Sequence, residues 1–238
     1  MKHRIVSWIK KQIKESGARG IVMGLSGGID SGVVACLAKS AVGKNRLLAL
    51  LLPCHSHRRD FDDAKLIARK FRIKTQTVDL TGIYDNLMEI LPEVIGKPKA
   101  NIKPRLRMLT LYYFANRLNY MVCGTGNKSE LLAGYFTKHG DGGVDILPIG
   151  DLFKKDVRKL AEELGIPKSI ITKPPTAGLW AGQTDEDEMG ITYPELDDIL
   201  MRIEKKRKQI LAKDKINKVK AMISKSRHKR EGPAICKI

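Results

Sequence analysis

The sequence is short of the features that mark several protein classes. It has four cysteines in 238 residues, Cys36, Cys54, Cys123 and Cys236, and none belongs to a CxxC pair. Zinc-ribbon and iron–sulfur readings lose support on that count. Cys36 and Cys123 sit among apolar residues and read as buried thiols rather than ligands. No apolar run approaches the roughly 18 residues needed to span a membrane, and the opening "MKHRIVSWIKKQIKESGARG" is interrupted by charge throughout, unlike a secretory leader. A cytoplasmic protein with no membrane partner is expected. There is no internal repeat, and no GxxxxGK[ST] stretch that would mark a Walker loop.

Acidic residues are also scarce: 26 Asp and Glu stand against 44 Lys and Arg, a formal charge of +18. Such an excess fits a polyanionic partner, whether nucleotide, nucleic acid or anionic surface. It is unevenly spread. Residues 202–230 hold 13 Lys or Arg and only two acids, Glu204 and Asp214. A solvated helix face explains such a run as well as specific anion binding does.

Apolar periodicity outlines the architecture. Residues 4–16 read as a helix, "IVMGLS" as a buried strand, "SGVVACLAKSAV" as a helix and "RLLALLLP" as a second strand. A helix over "RRDFDDAKLIARKFR" leads to a third strand, "KTQTVDL". Helices over 82–96 and 104–119 flank "GKPKANIKP", and a fourth strand, "YMVCGTG", runs into a helix start at "NKSELLAGY". Strand alternating with helix implies an α/β fold: a doubly wound parallel sheet flanked by helices, in one domain over 1–238. Residues 137–154 read as loop, "KPPTAGLWAGQTDEDEMGITYPELDDIL" starts as a long loop, and a basic helical segment is expected from about 199 to 226. In such sheets ligands bind beyond the carboxyl ends of the strands. "SGGIDS", "PCHS" and "GTGNKSE" all fall at strand ends, so a parallel sheet places them on one edge.

The first of these loops, "GLSGGIDSG" (residues 24–32), carries the most chemistry. Glycines between a strand and a helix expose backbone N–H groups at the positive end of a helix dipole, which suits phosphate. Ser26 and Ser31 add hydroxyls, and Gly27 and Gly28 allow close approach of a ligand. An acid in the same turn would repel phosphates unless a divalent cation lay between them, so Asp30 reads as a magnesium ligand. A helix-capping role is the plainer alternative.

"SGGIDS" resembles the pyrophosphate loop of the ATP pyrophosphatases, whose fold is adenine nucleotide α-hydrolase-like. Five further stretches, "NIKPRLRM", "GTGNKSE", "GYFTKHGDGGVDILPI", "KPPTAGLW" and "RHKR", resemble the NAD synthetases within that group in order and spacing, from about residue 20 to about 230. The resemblance implies an ammonia-dependent ligase that amidates nicotinic acid adenine dinucleotide (deamido-NAD). The route is an acyl adenylate, giving NAD, AMP and pyrophosphate.

The resemblance also implies site residues. Gly24, Leu25, Ser26, Gly27, Gly28, Ile29, Asp30 and Ser31, with Thr125, Lys154 and Thr176, would bind ATP. Asp30 and Glu130 would hold Mg2+. Lys154 would stabilise charge on the departing pyrophosphate, which makes it the candidate catalytic residue. Arg105, Lys138, Asp145, His228 and Lys229 would contact deamido-NAD, whose pyrophosphate and carboxylate suit cationic partners. Pro104 stands where a small residue is more usual and constrains the backbone before Arg105.

A homodimer is implied, with helices between about 82 and 119 at its interface. Free ammonia is the expected nitrogen source, since no cysteine has room for a glutaminase framework of its own. Two rivals remain open at this level. A tRNA-modifying enzyme using the same loop gains from the charge of +18 but lacks CxxC pairs and has "FTKHGDGG" against it, which leaves nucleic acid the less favoured partner. A non-catalytic nucleotide-binding regulator has no need of both Asp30 and Glu130.

Overall fold

A computed structural model describes residues 1–180 and 182–237. Its elements run α1 (Lys2–Ser16), β1 (Gly20–Gly24), α2 (Ile29–Val42), β2 (Leu47–Leu51), α3 (Arg58–Lys70), β3 (Thr75–Thr77), α4 (Thr81–Ile90), α5 (Lys97–Ala100), α6 (Ile102–Leu118) and β4 (Tyr120–Val122). These are followed by α7 (Lys128–Ala133), α8 (Lys154–Leu164), α9 (Lys168–Ile171), α10 (Asp185–Met189), α11 (Tyr193–Glu204), α12 (Lys213–Lys225) and α13 (Arg227–Arg230).

The four strands form a parallel sheet in the order β3-β2-β1-β4. β1 and β2 are apolar and bury nearly every residue because helices cover both faces of the sheet. On one face α1, α2 and α8 bury Ile9, Ile13, Val33, Leu37, Val157 and Leu160 against Ile21, Met23 and Leu47. On the other, Tyr84 of α4 and Leu111 and Phe114 of α6 pack on Val22, Leu48 and Leu50. A third cluster joins α7, α11 and α12 through Ala133, Leu196, Ile199, Leu200 and Val219. Among the described residues no helix is long and apolar enough to cross a membrane.

Strand order reverses between β1 and β4, because β1 leads outward to β2 and β3 while β4 lies on its other side. Loops leaving the carboxyl ends of β1 and β4 diverge there and leave a crevice between them. The doubly wound reading therefore holds, and it locates the site.

Several element boundaries differ from the periodicity, among them the fourth strand, which spans Tyr120–Val122 rather than all of "YMVCGTG". The helix expected over 82–96 stops at Ile90, ahead of Pro92, whose ring disfavours a helical residue before it. The third strand shortens to Thr75–Thr77 and is an exposed edge. The single helix expected from 199 to 226 is two, α11 and α12, separated at 205–212. Lys205 to Lys208 carry four consecutive positive charges with no apolar residue to bury, and Lys206 adopts a left-handed φ of 51°. Like charges repel within a helical turn. Ile210, expected on the apolar face of that helix, is exposed instead.

Candidate active site

β1 ends at Gly24 and the chain reaches α2 through a turn whose hydrogen bonds are mostly its own. Ser31 Oγ donates to the Gly28 carbonyl at 2.9 Å, the Ser26 amide donates to Ser31 Oγ at 3.3 Å, and the Gly28 amide donates to Ser26 Oγ at 3.2 Å. No side chain caps α2, whose N-cap is Gly28. Its first-turn amides therefore point out of the helix end with no partner within the helix. Gly27 has φ 84°, and a Cβ on it would lie 2.2 Å from the Asp60 carbonyl oxygen. Only glycine lets α3 approach the loop so closely.

Asp30 does not cap its helix. Its carboxylate turns toward β4, where Oδ1 accepts from Asn127 Nδ2 at 2.9 Å and Oδ2 accepts from Lys154 Nζ at 2.6 Å. Asn127 begins α7 in a capping box with Glu130, each side chain bonding the other's backbone N–H. That box presents Glu130 to Lys154 at 3.1 Å. Lys154, 2% exposed, is the first residue of α8, and its amide donates to Ser129 Oγ. One ammonium thus ties the loop after β1 to the helix after β4.

A lysine buried so deeply keeps its charge only with partners. Burial works against that charge, but Asp30 and Glu130 outweigh it and raise the Lys154 pKa. Burial also pushes the Glu130 carboxyl up, opposed by Lys154 and reinforced by Asp30.

Two residues of this neighbourhood escaped the sequence reading. Asp185, at the start of α10, is 4% exposed. Its Oδ2 accepts from Tyr193 OH at 2.9 Å, and its Oδ1 is buried with no hydrogen-bond partner among the described residues. Burial raises its pKa, with Lys154 opposing. Tyr193 OH also lies 3.4 Å from Glu130 Oε1, and its ring packs beneath the Lys154 ammonium. Asp185 stands in the acidic run "TDEDE", where no spacing distinguishes one carboxylate from its neighbours.

Asp30, Glu130, Lys154 and Asp185 line a cavity of about 430 Å³. Gly24, Leu25, Ser26, Gly28, Ile29, Asp30 and Ser31 border it, as do Thr125, Glu130, Lys154, Thr176 and Lys229. Residues 173–180 and 182–185 fold across it. Lys173 Nζ pairs with Asp60 and Asp63 of α3, the Leu179 carbonyl accepts from Lys103 Nζ, and the Asp185 amide donates to the Pro175 carbonyl.

Gly27, Arg105, Lys138, Asp145 and His228 lie outside the cavity lining. Arg105, Lys138 and His228 make a surface chain: Arg105 Nη2 donates to the Lys138 carbonyl at 3.5 Å, and Lys138 Nζ to the His228 carbonyl at 2.6 Å. Lys229 Nζ donates to the carbonyls of Gly134 and Phe136. Asp145 accepts from the Val122 amide and from Tyr112 OH, at the root of the loop that follows β4.

Asp30 and Glu130 are hard oxygen donors of the kind magnesium prefers, and the point they share is the Lys154 ammonium. Among the described residues, no group of three or more His, Cys, Asp or Glu is arranged as a metal site. Two carboxylates fit a magnesium ion only if phosphate oxygens and water complete its shell, which is the usual arrangement for that ion.

Residues 1–233 match the family model for NAD synthase. An NH3-dependent NAD+ synthetase of Archaeoglobus fulgidus is 46% identical over 237 residues, covering 99% of this chain and 95% of its own length. The NMN synthetase of Francisella tularensis superposes with a TM-score of 0.90 at 36% identity, over 100% of this chain and 97% of that one. The NH3-dependent NAD synthetase of Campylobacter jejuni superposes with a TM-score of 0.87 at 29% identity, over 99% and 97%.

Proposed function

The chain belongs to the NAD synthase family, and from that premise we propose how its residues carry the family's reaction. It is a ligase that amidates deamido-NAD with ammonia at the expense of ATP. The observation that best supports the residue assignments is the Lys154 ammonium held between Asp30 and Glu130 at the crevice where strand order reverses.

The amides at the head of α2 and the hydroxyls of Ser26 and Ser31 bind the β and γ phosphates of ATP. Asp30 and Glu130 would hold a magnesium ion, which when bound would neutralise phosphate oxygens. Lys154 keeps its proton and stabilises charge on pyrophosphate as the nicotinate carboxylate displaces it from the α phosphorus. Thr125 and Thr176, both lining the cavity, add hydroxyl donors. Residues 173–180 and 182–185 exclude water from the acyl adenylate, so that ammonia rather than water reaches the carbonyl. Ammonia attacks that carbon through its lone pair, and the carbon–oxygen bond to AMP breaks. The scheme needs no covalent protein intermediate. Arg105, Lys138 and Lys229 supply cationic groups for the dinucleotide, His228 adds a ring nitrogen for hydrogen bonding, and Asp145 fixes the loop beside it.

We also propose a homodimer. Ile83, Ile90, Leu91, Val94, Ile95, Leu109 and Tyr113, on α4, α6 and the segment between them, are exposed apolar side chains. A patch of this kind often meets a symmetric copy. Light scattering checks this, and a monomer at working concentration would overturn it.

For the reaction, the purified chain is incubated with ATP, magnesium, ammonium and nicotinic acid adenine dinucleotide, with NAD and AMP as the products sought. Glutamine replaces ammonium in one arm, and nicotinic acid mononucleotide replaces the dinucleotide in another. NAD and AMP in equal amounts, dependent on ammonium, are expected. Equal turnover with ammonia-free glutamine would sink the ammonia assignment. Turnover of the mononucleotide alone would move the chain toward the NMN synthetase specificity.

A further inference from the structure

Arg107 is a cation in the cavity that has no carboxylate partner among the described residues. It lies two residues beyond Arg105 on α6, and side chains at i and i+2 of a helix point to different faces. Arg105 turns outward to the Lys138 carbonyl. Arg107 turns inward to the end of β2, where Nε donates to the Leu52 carbonyl at 3.1 Å and Nη2 to Ser56 Oγ at 3.3 Å. Those bonds use two of the five N–H donors of a guanidinium. Among the described residues no acceptor takes the other three, and no carboxylate lies within ion-pair distance. Both acids that bear on it electrostatically are engaged elsewhere: Asp60 pairs with Lys173, and Asp141 accepts from the Thr137 amide. Burial lowers the Arg107 pKa, yet a guanidinium remains charged at neutral pH.

Its position gives this charge a use. Arg107 lines the cavity together with the glycine loop after β1 and with Leu50, Leu51, Leu52 and Pro53 at the end of β2. The loop offers amides and cation-linked carboxylates, which suit the pyrophosphate end of ATP. The β2 end offers apolar surface, which suits a base. A nucleotide lying from one to the other carries its α phosphate between them.

We propose that Arg107 is a nucleotide-binding residue whose free guanidinium N–H groups bind the α phosphate of ATP, the phosphate that stays with adenosine in the adenylate and in AMP. This rests on the ATP-dependent reaction assigned above and extends it to a residue outside the glycine loop. The guanidinium holds the phosphate during attack by the carboxylate and keeps hold of it in AMP, the leaving group of the second step. The rival reading is structural: Arg107 merely ties α6 to the loop after β2.

The product fragments separate these readings. AMP contains the α phosphate, pyrophosphate contains only the other two, and adenosine contains none. Their inhibition constants are measured against ATP for the unaltered protein, Arg107→Met and Arg107→Lys. Arg107→Met should weaken AMP by about tenfold or more, the loss expected for a charge-assisted hydrogen bond. Pyrophosphate and adenosine should change by less than about twofold, and Arg107→Lys should recover part of the AMP affinity.

Unchanged AMP inhibition in Arg107→Met overturns the proposal. So does an equal loss for all three fragments, or a raised KM for the dinucleotide with AMP unaffected. If Arg107→Met does not fold, Arg107→Lys decides: AMP must weaken at least about threefold while adenosine does not. The unaltered protein tests the parent reading separately, since failure to form AMP from ATP would defeat that reading whatever the variants do.

Discussion

The two halves of the site are built on opposite plans. The ATP half is a closed knot: Asp30, Asn127, Glu130 and Lys154 satisfy one another across two loops, with Lys154 2% exposed. The dinucleotide half is open: Arg105 and His228 are exposed, Lys138 is half-buried, and the chain they form runs through backbone carbonyls. Buried charges must be paired before a ligand arrives, or desolvation makes them unaffordable. Exposed cations need no such pairing, because water solvates them until an anionic ligand replaces it. The knot is therefore rigid machinery tied to stability, and the open half is a surface tied mainly to affinity.

The comparison is tested most severely at Lys154. Lys154→Met removes the buried cation and leaves two half-buried carboxylates without it. Breaking such a buried pair costs about 3–5 kcal/mol, and losing the charge that meets the leaving pyrophosphate should lower kcat about 10²–10³-fold. Thermal unfolding and steady-state kinetics read both. Added magnesium should recover part of the stability, since a cation could again lie between the two acids. A variant as stable as the parent without magnesium would break the idea of a knot.

Asp30→Asn is the milder probe. Lys154 keeps Glu130, and the amide keeps an acceptor for Asn127, so the fold should survive with a loss of about 1–3 kcal/mol. Turnover should nonetheless fall at least about 100-fold, because one of two magnesium carboxylates is gone. Near-normal activity at ordinary magnesium concentrations would remove Asp30 from the metal site.

The same contrast explains what the sequence could and could not tell. The glycine loop, the alternation of strand and helix, and the acids at 30 and 130 stand out because each is local: a turn chemistry, a period, a charge beside a strand end. Asp185 and Arg107 do not stand out. Asp185 is one of four acids within "DEDE", and only folding buries it beneath Tyr193 beside Lys154. Arg107 differs from Arg105 by 200° of helical rotation, about two residues' worth, which matters only once β2 lies on one side of α6. The break at 205–212 was hidden for another reason. Lys and Arg are good helix formers singly, and only four together, with nothing apolar to bury, disfavour the helix.

A smaller effect on turnover is expected at the glycine loop beside the knot, where backbone alone is at stake. Gly27 has φ 84° and no room for a Cβ against the Asp60 carbonyl. Gly27→Ala should cost about 1–3 kcal/mol from the left-handed conformation, and should push α3 from the loop. The KM for ATP should rise as the amides lose alignment. If ATP binding is unchanged while stability falls, the loop tolerates displacement and is less rigid than the contrast requires.

The smallest effect on the fold, and the sharpest test of the open half, belongs to Lys138. Its ammonium holds the His228 carbonyl, which ties the loop before Gly140 to α13 at the surface. Lys138→Met keeps the length of the stem and loses the charge. Water can solvate the freed carbonyl, so stability should change by less than about 0.5 kcal/mol, the range usual for surface substitutions. Binding should respond more. One charge-assisted contact to an anionic dinucleotide is worth about tenfold in KM, with the KM for ATP unchanged if the two halves act independently. The dinucleotide effect should shrink as salt is raised, because exposed charges are screened within about 10 Å at 0.1 M ionic strength. The same salt should leave the effect of Asp30→Asn almost untouched, since buried pairs are screened far less. Kinetics at two ionic strengths on both variants compare the halves directly. An equal salt dependence would show that burial does not divide the site.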